Sequence, residues 1–213
     1  MKTRSKALLL TLCAVLLVAA SVLGTMAYLT SSDTVTNTFT VGSVAIKLDE
    51  AKANPDGTLV PNAERVKANS YKLLPGHTYN KDPMVTVLSG SEPSYVKMTV
   101  TFSKANELDA IFAPGGADLT KIFNGYDPAN WTYKDNTTDA AANTRTYEFW
   151  YKEAVGAPDG DVALDALFDS ITVPGSVTKE QLATIEGMTI TVNAYAIQAD
   201  GFADAGAAWA AFN

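Results

Sequence analysis

The sequence holds one cysteine, Cys13, and one histidine, His77, among 213 residues. Cys13 lies in an apolar N-terminal run, so the rest of the chain has neither a disulfide framework nor a thiol nucleophile and must be held by its core alone. A single histidine leaves a multi-histidine zinc site impossible within one chain, and neither a His-Glu-x-x-His zinc site nor Ser-His-Asp hydrolysis with a paired helper can be assembled by motif. His77 itself sits in Leu73-Leu-Pro-Gly-His-Thr78, a turn composition that reads as a solvated loop. No glycine-rich phosphate loop follows a strand, and Gly115-Gly116 fits a turn. Asp159, Asp161 and Asp165 are close enough in sequence to hold a cation, but they depart from the EF-hand pattern and read as a solvated acidic loop. We therefore expect no catalytic residue, no bound metal and no cofactor.

Positive charge is also scarce. The formal net charge is −7, which disfavours nucleic acid and anionic membranes as partners. Three of the basic residues, Lys2, Arg4 and Lys6, stand ahead of an apolar run from Ala7 to Leu23, and Gly24 and Thr25 break that run. Thr25-Met26-Ala27 then places small residues three before and one before a cut between Ala27 and Tyr28, the pattern of a cleaved secretory signal. An uncleaved anchor is the alternative, since Tyr28 and Leu29 could extend the oily run towards spanning length. Cleavage makes residues 1–27 a signal peptide and residues 28–213 one secreted domain, three charges more negative than the full chain. The membrane is then a partner only through the leader.

Beyond the leader the dominant period is two. In Tyr95-Val-Lys-Met-Thr-Val-Thr-Phe102, the residues Val96, Met98, Val100 and Phe102 fall on one face and Lys97, Thr99 and Thr101 on the other, as in a half-buried antiparallel strand. Strand-like runs also occur at Pro83 to Leu88, Trp131 to Lys134, Thr146 to Lys152, Ser170 to Val173 and Thr189 to Ile197. Turn signals such as Pro55-Asp-Gly57, Pro75-Gly76 and Pro174-Gly175 separate many of them, and no Pro- or Ser-rich linker divides the chain. The expected fold is mainly β, an antiparallel jelly-roll-like β-sandwich with a few short flanking helices.

The alternation slips near the start. Phe39 and Val41 are odd, whereas Val44, Ile46 and Leu48 are even, with Gly42-Ser43 at the change, which suggests a bulge or a crossing between sheets. Helical pieces are expected at Thr178-Lys-Glu-Gln181, a capping box followed by Leu182, Ile185 and a stop at Gly187, and more weakly at Asn106 to Phe112 and Asp161 to Phe168. An Ala-rich segment, Ala203 to Phe212, reads as a short helix docking Trp209 and Phe212. These pieces are expected to cover the open ends of the sandwich, with their aromatics in the core.

Several segments together resemble the TasA/camelysin family, whose members carry leaders for a dedicated signal peptidase of the SipW type. They are the join Thr25-Met-Ala-Tyr28 with Asn37-Thr-Phe-Thr-Val-Gly-Ser-Val44, the segments Leu74-Pro-Gly-His-Thr78 and Lys81-Asp-Pro-Met-Val-Thr-Val87, the strand Tyr95 to Val100, and Ile190 to Phe202. The resemblance spans nearly the whole chain. It implies a bacterial secreted protein of the extracellular matrix or cell surface that forms biofilm-matrix fibres with itself or sister subunits by donor-strand exchange. Carried onto this sequence, Thr25, Ala27 and Tyr28 are the processing residues, and the arm at 28–41, with Thr36, Phe39 and Val41, is the donor strand. Its Thr-rich composition suits an added strand. The alternatives are a monomeric accessory or adhesin protein of the surface and a camelysin-like metallo-endopeptidase.

Overall fold

The computed structural model describes residues 6, 10–18, 42–112 and 118–212. The chain divides into two compact units, Met1–Val41 and Gly42–Asn213. In the first, residues 10–18 are helical and expose Leu10, Leu12 and Leu16. Among the described residues no helix is long and apolar enough to cross a membrane.

The second unit is organised around the alternating segment at its centre. Strand β4 (Ser91–Ser103) buries Val96, Met98, Val100 and Phe102 completely, while Lys97, Thr99 and Thr101 look outward. Both of its sides are paired. On one side it runs antiparallel to β11 (Ile190–Gln198) without a break in register, from Ile190 opposite Phe102 to Gln198 opposite Ser94. On the other side β8 (Val155–Ala157) covers its first residues, and β7 (Thr144–Tyr151) takes over from Lys97 onward. The irregularity between Ser91 and Ser94 contains Pro93, which has no N–H to give a ladder. Strand β6 (Trp131–Asp139) pairs with β7 and ends the sheet, so its order is β11-β4-β7-β6.

Two three-stranded sheets face it. One has the order β1-β3-β9, from Ile46–Asp49, Met84–Val87 and Val162–Ala163; the other is β2-β10-β5, from Thr78–Asn80, Ser170–Thr172 and Phe123–Asn124. All the pairings between named strands are antiparallel. One hydrophobic cluster joins Tyr79, Val85, Val87 and Ile171 of these sheets to Val96, Met98, Val100, Tyr147 and Phe149 of the large one, so the fold is a β-sandwich with a single core. Its aromatic centre is tightly stacked: Phe123 lies on Phe168 with centroids 4.0 Å apart, and Phe102 meets Phe123 at 5.7 Å and Tyr147 edge-on at 5.9 Å. Tyr79 is fully buried, yet its hydroxyl donates to the Lys72 carbonyl and accepts from the Leu74 amide, both at 2.7 Å. The turn at 55–57 that packs against it needs a glycine, because Gly57 has φ +90° and a Cβ there would come within 2.7 Å of the Thr78 carbonyl and the Tyr79 Cα.

The six expected strands all form, with β4 and β6 longer than the sequence pattern suggests. The helix at 179–184 has the reciprocal capping box: the Gln181 amide donates to Thr178 Oγ1, and the Thr178 amide donates to Gln181 Oε1. We name the helices α1 (Ala105–Phe112), α2 (Lys179–Thr184) and α3 (Ala205–Ala211).

Two expectations need correction. Asp161 to Phe168 is not helical. Its backbone instead continues the edge of β3, with Leu164 and Leu167 amides donating to the Val85 and Pro83 carbonyls, while Leu164, Leu167 and Phe168 fill the core. Helix α3 does not close an end of the sandwich or feed the core. It lies on the outer face of the large sheet, where Trp209 is buried against Lys97 and Phe212 stays 41% exposed.

Phe102→Ala should lower unfolding free energy by about 3–5 kcal/mol through the cavity it leaves, whereas Thr99→Ala on the outward face should change it by no more than about 0.5 kcal/mol. Denaturant midpoints of the two variants check this; similar losses from both would contradict the assigned faces.

Candidate functional site

The edges of the sandwich differ in how well they are protected against a further strand. Strands β1, β9, β2 and β5, at the edges of the small sheets, are two to four residues long. Short edges of this kind offer few unpaired backbone groups. Strand β6 is longer, but it carries Lys134, Asp135 and Asp139 and its register is broken between Tyr133 and Asp135. Charges and a bulge are the devices by which sheets discourage edge-to-edge pairing.

Strand β11 has none of these defences. Its sequence, Ile-Thr-Val-Asn-Ala-Tyr-Ala-Ile-Gln, contains no charge and no proline, and its register is regular over nine residues. Among the described residues its hydrogen-bonded strand neighbour is β4 alone. Its core-facing residues Ile190, Val192, Ala194 and Ala196 are only partly buried, in contrast to the fully buried set on β4. Beside it runs β1, whose Ile46 and Leu48 are likewise half-buried against the core. The two strands therefore border a seam where apolar surface is incompletely covered and β11 presents backbone groups for pairing.

A second cluster lies under the long connection between β1 and β2. Arg65 reaches back from this connection and donates from Nε to Asp49 at 2.5 Å, from Nη1 to the Asp82 carboxylate at 2.8 Å and from Nη2 to the Asp82 carbonyl at 2.8 Å. Asp82 also accepts from the Ala51 amide at 2.6 Å. Lys81 and Glu50 form a buried ion pair at 2.5 Å. The Lys81-Asp-Pro segment is thus an anchor that ties the connection to the start of β3. Burial pushes the Asp49 carboxyl up, but hydrogen bonds from Lys47 and Arg65 outweigh it and leave its pKa below the ordinary value. Sequence reading missed this cluster, since Asp49 and Arg65 meet only because the chain turns back between them.

The other singled-out residues have separate positions. His77 is exposed in the turn before β2. Asp161 accepts from the Ser89 amide, whereas Asp165 accepts from Asn130 Nδ2 and its carbonyl accepts from Trp131 Nε1. Among the described residues no group of three or more His, Cys, Asp or Glu is placed to hold a metal. Thr25, Ala27, Tyr28, Thr36, Phe39 and Val41 lie outside the described residues.

Because Asp49 has its pKa lowered by folding, the stability it contributes is present above the ordinary carboxylate value of 3.8 and lost as pH falls below it. Thermal melts should show a midpoint that drops below about pH 4, with a shallower drop in Asp49→Asn. Arg65→Met, which leaves the buried Asp49 carboxylate with Lys47 as its remaining cationic partner, should cost about 1.5–3 kcal/mol at neutral pH. A midpoint insensitive to both changes would contradict the anchoring role.

No family model, curated protein or solved structure matches this chain, so the resemblance to the TasA/camelysin family stands on the quoted motifs alone.

Proposed function

We propose that the protein is a secreted structural subunit that assembles into extracellular fibres, each subunit donating its N-terminal arm, residues 28–41, to the β11 edge of the next. The observation that carries this reading is the β11 edge, uncharged and without a second strand neighbour among the described residues, beside a half-covered core. An extended arm laid against β11 satisfies its backbone groups and places alternate side chains over the seam. Phe39 and Val41, two residues apart, have the spacing to fall on the same face and reach Ile190, Val192 and the half-buried Ile46 and Leu48.

Association of this kind is heterologous: the arm of one subunit meets a different surface of its neighbour. Repeated head-to-tail, it extends without closing and gives filaments. The single histidine and single cysteine are compatible with a structural role, since they leave no multi-histidine or dithiol chemistry within one chain. Release of the arm by a dedicated type I signal peptidase at Ala27-Tyr28 would start assembly outside the cell, where the chain's excess acidic charge keeps free subunits soluble.

The protein beginning at Tyr28 should form fibres visible by electron microscopy, and removal of residues 28–41 should leave it monomeric. Thr191→Lys combined with Asn193→Lys places two charges on the exposed face of β11, where the cost to folding should be no more than about 0.5 kcal/mol each, and should also block assembly. Fibres formed equally well without the arm would contradict strand donation, whereas a protein beginning at Tyr28 that stays monomeric would favour an accessory or adhesin protein of the cell surface.

A further inference from the structure

The outer face of the large sheet carries a cleft of about 580 Å³ at the end of the sheet where β7 turns into β8. Its floor is aromatic, made by Tyr95 of β4 and Trp150 of β7, both on the face turned away from the core. One wall is the chain leading into α3, from Ala203 to Gly206. The rim carries Lys134, Lys152, Glu153 and Asp204.

The wall is held firmly. Trp209 of α3 is 5% exposed, and the Lys97 ammonium lies 4.7 Å from its ring centre, 5.2 Å from that of Phe212 and 5.6 Å from that of Tyr195. The Lys97 cation is largely desolvated against several π faces, which strengthens each contact, and Glu148 adds an ion pair to Lys97 at 3.4 Å. Trp150 is fixed in turn, its indole N–H donating to Glu148 at 2.5 Å. The floor and one wall are therefore preset, in an open depression that would leave one side of a ligand in solvent.

The rim is balanced in charge, with Lys134 and Lys152 against Glu153 and Asp204, and neither lysine has an ion-pair partner among the described residues. Lys152 donates to the Pro128 carbonyl at 2.6 Å, and the Lys134 ammonium stands 4.2 Å from the centre of the Trp150 ring. Asp204 is occupied as the cap of α3, accepting from the Ala207 amide at 2.8 Å. The cleft thus combines an aromatic platform, exposed ammonium groups and one carboxylate, Glu153, that has no partner among the described residues.

We propose that this cleft binds an acidic saccharide, with a uronate ring lying on Trp150. A pyranose ring presents C–H groups on its face and hydroxyls on its edge. The C–H face suits the negative face of the indole, while the hydroxyls meet Glu153 and the Tyr95 side, and the ring carboxylate pairs with Lys134 as that ammonium moves off the indole. At an exposed position an ion pair to a carboxylate is comparable in strength to the cation–π contact it replaces, so Lys134 can exchange one for the other. This site is on the outer face of β4 and β7 and does not depend on strand donation at β11.

Calorimetric titration of the purified protein with tetragalacturonic acid tests it. We expect saturable binding that weakens with added salt, at least tenfold weaker binding of uncharged cellotetraose, and at least tenfold weaker acid binding by Trp150→Ala. Lys134→Met should remove most of the preference for the acid over the neutral sugar, and Trp150→Phe, which keeps a ring, guards against loss of folding by retaining measurable binding. Absence of saturable binding to the parent protein overturns the proposal. So does equal affinity for acid and neutral sugars, or unchanged affinity in Trp150→Ala with native circular dichroism.

Discussion

The complete burial of one face of β4 is the constraint on which the remaining structure depends. Four consecutive inward residues, Val96, Met98, Val100 and Phe102, have no exposed surface, and this strand alone is paired to β11, β7 and β8. With side chains alternating every residue, a slip of one position would turn all four outward. The register of β11 and β7 is therefore fixed by the core, and the outward row that includes Lys97 and Trp150 is fixed with it. Without disulfides, the close stacking of Phe102, Phe123, Phe168 and Tyr147 supplies the cohesion that a crosslinked extracellular domain would share with its bridges.

The same sheet is asymmetric at its two ends. Strand β6 is armed with charges and a bulge, whereas β11 is regular and uncharged and, among the described residues, has β4 as its one strand neighbour. A monomeric protein gains nothing from leaving a nine-residue edge in that condition, and the usual consequence is association. The proposed arm exchange gives that edge a partner from another chain and leaves the outer face, with its aromatic cleft, free for a separate ligand.

Sequence reading captured what is encoded locally. Period two identified the strands from Pro83 to Leu88, Tyr95 to Phe102 and Thr189 to Ile197, and the Thr178/Gln181 pair marked the start of α2 because both halves of a capping box lie within one turn. The short strands β2, β5, β8 and β9 escaped notice because two or three residues cannot display a period; they are strands only because a neighbour pairs with them. Asp161 to Phe168 misled for a related reason. Leu164, Leu167 and Phe168 have helical spacing, but the open edge of β3 captured their backbone. The unprotected state of β11 was visible in its composition, yet its position at an edge was not. Likewise Tyr95, Lys134 and Trp150 were separate residues until pairing of β4, β7 and β6 brought them into one cleft.

Hydrogen exchange compared between monomer and assembled protein tests the central claim most directly. If β11 receives the arm, amides within residues 190–198 that do not donate to β4 should exchange readily in the monomer and become strongly protected in the assembly, with little change along β6. Protection gained along β6 while β11 exchanges at the same rate in both states would contradict it.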